Sequence, residues 1–165
     1  MRALRRVLLI GFGNPARRDD GLGPALAAAV ERLQIPDVTV EQAYQLTVED
    51  SIALGEHDAV VFADAAAVGP APFDFGPVEP DPTLPWTSHV LEPKALVALA
   101  ERLSGRRPEA YLLGIRGYDF DVFDERLSEA AEQNLAAALR FIEPVLRDGA
   151  RGAAVGQPPW GEGES

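Results

Sequence analysis

The chain has no cysteine, which excludes a disulfide framework, a thiolate metal site and a cysteine nucleophile together. It is also poor in positive charge: Lys94 is the single lysine among 15 basic residues, against 26 acidic ones, for a formal net charge of −11. With no basic stripe to displace counterions from a phosphate backbone, nucleic acid is not an expected partner. Histidine is scarce too, so any chemistry that needs an imidazole must use His57 or His89. No apolar run approaches the roughly 18 residues of a membrane span. The apolar stretch at 7–10, behind three arginines, is too short for a signal-peptide core and no small-residue cleavage site follows it. A cytoplasmic protein without a membrane partner is the expectation.

What is present is ordinary globular material. The 165 residues, 47% apolar and 25% charged, suffice for one domain with a real core. Residues 7–10 and 59–63 are apolar throughout, the signature of strands buried on both faces. Residues 38–43 alternate and predict another strand, and 111–115 a fourth. Helical periodicity runs over 23–33, where Pro24 is tolerated in the first turn and Pro36 stops the helix. It recurs over 92–103, ending near Gly105, and over 127–146. Thr47 is placed to cap a short helix. Residues 69–85 are dense in proline and glycine and predict a loop or irregular hairpin. The tail, 149–165, is rich in Gly, Pro and Glu and is expected to be disordered, leaving 1–148 as a single domain.

Apolar strands separated by helices imply an α/β fold, a three-layer sandwich whose mostly parallel sheet is covered by helices on both faces. In such sheets the site lies at the carboxyl ends of the strands, near the switch point. That selects residues 11–20, 63–67 and 116–120. The first of these, Gly11-Phe12-Gly13-Asn14-Pro15-Ala16-Arg17-Arg18-Asp19-Asp20, is not a dinucleotide fingerprint. Its third glycine is replaced by Ala16, and Asp19 and Asp20 occupy the helix start where a phosphate would sit. One of the pair is expected to cap the helix and the other to face the cleft. Asp64 follows a fully apolar strand and must emerge beside the first loop, because burying an unpaired carboxylate is costly. His57, in a helix-to-strand turn at the opposite end of the sheet, is expected on the surface. One histidine with two aspartates would form an N,O,O set suited to nickel or zinc. The residues alone also allow a plainer reading, in which Ser88 caps a helix beside an incidental His89.

The segment from Leu9 to Gly23, with Phe62-Ala63-Asp64-Ala65 and Thr87-Ser88-His89 following in order and spacing, resembles the hydrogenase maturation protease family. The resemblance spans most of the domain. It implies an endopeptidase that removes the carboxy-terminal extension from the large-subunit precursor of a nickel–iron hydrogenase. It further implies that Asp20, Asp64 and His89 are both the catalytic and the metal-binding residues. The metal is nickel carried by the substrate rather than a resident cofactor, with zinc or cadmium able to substitute in a crystal. The partner is that precursor, and a monomer is expected. The segments 43–47 and 115–120 are similar to the subgroup serving NAD-reducing or bidirectional hydrogenases.

Two other readings compete. Peptidyl-tRNA hydrolases also open with a strand followed by Gly-x-Gly-Asn-Pro, but they need a histidine soon afterwards and a basic surface. A non-catalytic nucleotide-binding module would need an anion at the first loop, where Asp19 and Asp20 would repel it. For proteolysis, Ser88 and His89 are adjacent and point opposite ways on an extended segment, which leaves a carboxylate base or the substrate's own metal to drive hydrolysis.

Overall fold

The computed structural model describes residues 5–84 and 91–150. Five strands, β1 (Val7–Phe12), β2 (Val38–Ala43), β3 (Ala59–Ala66), β4 (Phe73–Pro77) and β5 (Glu109–Arg116), form one sheet in the order β2-β1-β3-β5-β4. Four helices accompany them: α1 (Leu22–Leu33), α2 (Asp50–Gly55), α3 (Pro93–Ser104) and α4 (Glu129–Ala150). All strand pairs are parallel except β4 against β5. The expected mostly parallel α/β sandwich is therefore the observed fold.

Side-chain alternation sorts the core into two layers. Val7 and Leu9 of β1, Val61 and Ala63 of β3 and Leu113 and Ile115 of β5 pack against α1 and α4. Leu8 and Ile10, Val60 and Phe62, and Leu112 point the other way, onto Leu54 of α2 and Leu96 and Ala100 of α3. Because β1 and β3 are used on both faces, Leu8, Leu9, Ile10, Val60, Val61 and Phe62 are all fully buried. That double burial is why both strands are continuously apolar in sequence. Edge strand β2 is half-buried and correspondingly alternates.

Several expectations are corrected. The proline-rich stretch contains β4, an antiparallel edge strand. Phe73 lies tilted 4.8 Å from Phe141 of α4, and Phe75 stacks 5.4 Å from Tyr111 and lies 5.1 Å from Phe141. Aromatic burial against α4 overrides the turn-forming composition around it. Thr47 does not cap α2. Asp50, the first residue of that helix, instead accepts a hydrogen bond from the Thr47 N–H at 2.8 Å. His57 is buried rather than on the surface, its Nδ1 2.6 Å from the Ala53 carbonyl and its Nε2 3.3 Å from the Thr39 hydroxyl. Both ring nitrogens are satisfied, so an imidazole can be enclosed there without loss. The final helix runs from Glu129 to Ala150, past the expected end at 146.

Glycine solves one packing problem that no other residue could. The amino end of α1 crosses β1 and β3 so closely that a Cβ on Gly23 would strike the carbonyl oxygens of Phe12 and Ala63, and one on Gly11 would strike the Gly23 carbonyl. These two glycines let the helix start lie directly on the strand ends.

Candidate active site

Strand order reverses between β1 and β3: the chain leaves β1 for β2 on one side and goes on to β3 on the other. The crevice at this switch point lies beyond the carboxyl ends of both strands. Two carboxylates reach it, one from the loop after β1 and one from β3.

The loop is wound by its own hydrogen bonds. Asn14 Oδ1 accepts the Ala16 N–H at 2.9 Å, and the Arg17 N–H reaches the Asn14 carbonyl at 3.1 Å. A single 3-10 turn at Arg18–Gly21 then leads into α1. Gly13 has φ +143°, and a Cβ there would collide with the Asp20 carbonyl, so the turn folds back over the end of β1. Asp20 is fixed by the Asn14 N–H, which donates to its Oδ2 at 2.8 Å. Arg18 sits at φ +50°, an uncommon conformation for a non-glycine residue and a form of local strain associated with functional loops.

Asp19 and Asp20 have separate fates, though neither caps α1, whose first turn has no side-chain cap. Asp19 is fully buried. Its Oδ2 accepts the Tyr118 and Asp119 N–H groups at 2.8 and 3.0 Å and the Ser128 hydroxyl at 2.7 Å. Its Oδ1 accepts the Ser128 N–H at 2.8 Å. Burial pushes its pKa up, but the Ser128, Tyr118 and Asp119 bonds outweigh that and hold it below the usual carboxylate range. The helix it serves is α4: Ser128 precedes Glu129 and its hydroxyl also accepts the Ala131 N–H at 3.3 Å. A negative charge at that helix end is favourable.

Asp64 lies inside β3 rather than beyond it, paired in register with Gly114 of β5. By strand parity it projects from the face that carries α2 and α3. Its carboxyl is pushed up to about 7 by burial, which outweighs a compensating Ala65 N–H bond at 2.8 Å, with repulsion from Asp20 adding to the rise. Asp20 is thus close enough for its charge to act on Asp64. Among the described residues neither carboxylate is in an ion pair, and no third His, Asp or Glu joins them in a metal-holding group. His89 lies outside the described residues. His57 belongs to the opposite end of the sheet.

Sequence reasoning noticed Asp19 only as one of a pair placed to cap α1, and did not single out Ser128. The available signal for Ser128 was its place just before a helical run; nothing local links it to a residue 109 positions earlier.

The fold and the acidic crevice define a class: a three-layer α/β protein with a carboxylate pair at the switch point. No protein-family model matches the sequence and no curated protein matches it. Solved structures do. HycI, a [NiFe] hydrogenase maturation protease from Thermococcus kodakarensis KOD1, is 22% identical with TM-score 0.69, covering 88% of this chain and 94% of that one. The hydrogenase maturating endopeptidase HybD from E. coli is 20% identical with TM-score 0.69, covering 87% and 93%. An uncharacterized protein from Wolinella succinogenes is 27% identical with TM-score 0.61, covering 88% and 98%. The chain has the fold of the hydrogenase maturation proteases over nearly its whole described length.

Proposed function

We propose that this chain is a hydrogenase maturation endopeptidase, which removes the carboxy-terminal extension of a nickel-loaded large-subunit precursor in the cytoplasm. The observation that carries the reading is that Asp20 and Asp64 come from adjoining strand ends at the switch point, with the Asp20 charge helping burial to raise Asp64 to about 7. Two unpaired carboxylates this close repel each other, and an incoming divalent cation relieves that repulsion. Asp20, Asp64 and His89 would share the substrate's nickel.

The proton balance of Asp64 suits discrimination between loaded and unloaded substrate. With its carboxyl raised to about 7, Asp64 exchanges a proton around neutral pH, where its neutral and charged forms are both populated. A nickel-bearing precursor would shift that balance toward the charged form and meet two carboxylates. Peptide-bond hydrolysis then needs an activated water and stabilisation of the carbonyl oxygen, the latter a role the substrate's metal can fill as a Lewis acid. Asp20, anchored by the Asn14 N–H, keeps a fixed orientation toward the cleft. The protein is expected to act as a monomer.

The test is processing of a purified nickel-loaded precursor, followed by mass measurement of the large subunit. Asp20→Asn should fold normally and leave the precursor uncut. Unimpaired cleavage would remove Asp20 from the site. Nickel binding measured by calorimetry should be lost in His89→Ala, and retained binding would remove His89.

A further inference from the structure

Beside Asp64, on the same face of the sheet, lies a hollow of about 240 Å³ between β3, β5 and the β4 edge. Its lining includes Ala66, Gly69, Asp74, Gly76, Leu112 and Gly114. Strand parity aligns it with the active carboxylate: Gly114 is the register partner of Asp64 and of Asp74, and Leu112 of Gly76. Neighbouring strands are about 4.8 Å apart, so anything lying on Gly114 lies next to Asp64.

The floor is made by glycines that the fold does not require. A Cβ on Gly76 would meet nothing within 4 Å, and one on Gly114 would make only ordinary contact with the Ala66 methyl at 3.6 Å. Neither residue has the positive φ that would call for glycine, unlike Gly69 at +110° in the turn above them. Strand interiors are weakened by glycine, which packs nothing and loses more entropy on folding. Two glycines on adjacent strands, one of them beside the active carboxylate, therefore keep a trough open at some cost in stability. Close approach of another backbone is the usual use of such a position. The turn above is held in place by Arg116, whose Nη1 donates to the Gly69 carbonyl at 3.1 Å. On its rim Val68 is 81% exposed.

We propose that this glycine-floored trough is the subsite that receives an extended, largely apolar stretch of the substrate polypeptide adjoining the scissile bond. The proposal rests on the proteolytic reading above and deepens it. The walls are mainly apolar, with Ala66, Leu112 and Pro77 against a single carboxylate, Asp74. The trough lies on the sheet surface beside an edge strand, so a segment of polypeptide can lie along it with its side chains between those walls. Because it begins next to Asp64, a bound segment delivers the neighbouring peptide bond to the carboxylate pair.

The experiment uses the full chain and purified nickel-loaded precursor. Gly76→Leu fills the trough in open space and should leave the thermal midpoint and nickel binding unchanged. Its kcat/KM for processing should fall about ten-fold or more, chiefly through KM, as expected when a specificity pocket is blocked. Gly76→Ala should fall less. In parallel, Val68 is replaced by the photo-crosslinking residue benzoylphenylalanine and illuminated with the precursor. A crosslink to the precursor's carboxy-terminal region supports the trough. Processing by Gly76→Leu at the unmutated rate, or a crosslink only within this chain, overturns it. A precursor crosslink without cleavage by the unmutated protein keeps the trough and removes the proteolytic reading. Absence of both removes both.

Discussion

Where the parallel strands begin, charge is paired. Asp58 accepts the Arg6 N–H at 2.9 Å and a guanidinium bond from Arg106 at 2.9 Å, while Arg5 bridges to Glu109 at 3.0 Å. The Arg6 N–H, with help from the Arg106 and Arg5 charges, holds the Asp58 carboxyl low against the opposing pull of burial. Where the same strands end, Asp20 and Asp64 repel each other and Asp64 is pushed up to about 7. The first arrangement stabilises the fold without offering reactivity. The second sacrifices stability for a site that can exchange a proton or accept a cation near neutral pH.

The sharpest way to break that contrast is at Asp20. Asp20→Asn keeps the Asn14 N–H bond possible but removes the charge, and should reduce precursor processing by about a thousand-fold or more, in the range seen when a principal catalytic group is lost. Mass analysis of the large subunit reads the result. Next in size is Asp19→Ala. It strips partners from the Tyr118, Asp119 and Ser128 N–H groups and should lower unfolding free energy by about 3–5 kcal/mol, the usual cost of breaking a buried charged network. Denaturant titration measures this; a loss under 1 kcal/mol would show that the buried carboxylate is dispensable. Gly23→Ala should cost about 1–3 kcal/mol by forcing α1 off the strand ends, again read from the denaturation midpoint.

Asp64→Asn tests the reactive end in the opposite direction. A carboxyl whose folded pKa is raised favours folding most below its unfolded value and loses that contribution as pH climbs through the folded value. The native chain should therefore lose stability from this group between about pH 4 and 7. Asp64→Asn removes that loss. At pH 8 it should be more stable than the native chain by on the order of 1–3 kcal/mol, less than full linkage because the carboxyl keeps some solvent contact. Thermal melts at pH 5 and 8 would show the gap widening with pH; a constant gap would contradict the shift. Asp19 has the reverse sign, its contribution vanishing only as pH falls below the usual carboxylate range. The smallest effect is expected at the paired end, where Arg106→Ala should change stability by less than about 1 kcal/mol, as exposed ion pairs generally do.

How much of this was legible depended on how local its cause was. The strands read at 7–10, 38–43 and 59–63 are visible because burial on one or both faces leaves a direct period in the sequence, though β1 and β3 run on to Phe12 and Ala66. Switch-point logic then points at Asp20 and Asp64 without any family being named. β4 escaped because its evidence is two aromatics, Phe73 and Phe75, whose partner Phe141 lies far along the chain. His57 escaped for a similar reason: the Thr39 hydroxyl that satisfies one ring nitrogen comes from another strand. Asp19 was noticed but given the wrong helix, since a capping aspartate looks the same whether it serves the next helix or one beginning at residue 129. His89 falls outside the described residues.

The grip of Asp19 on Ser128, Tyr118 and Asp119 has a consequence for anyone recombining related sequences. Residues 14–21 and 117–128 are not two loops but one module split by a hundred residues of chain. Main-chain bonds between Arg18 and Asp124, Asp124 and Ala16, and Asp19 and Asp119 knit it further. Transplanting either half into another backbone would leave a buried anion without donors, or donors without their anion. Chimeras should tolerate the pair together and reject each alone.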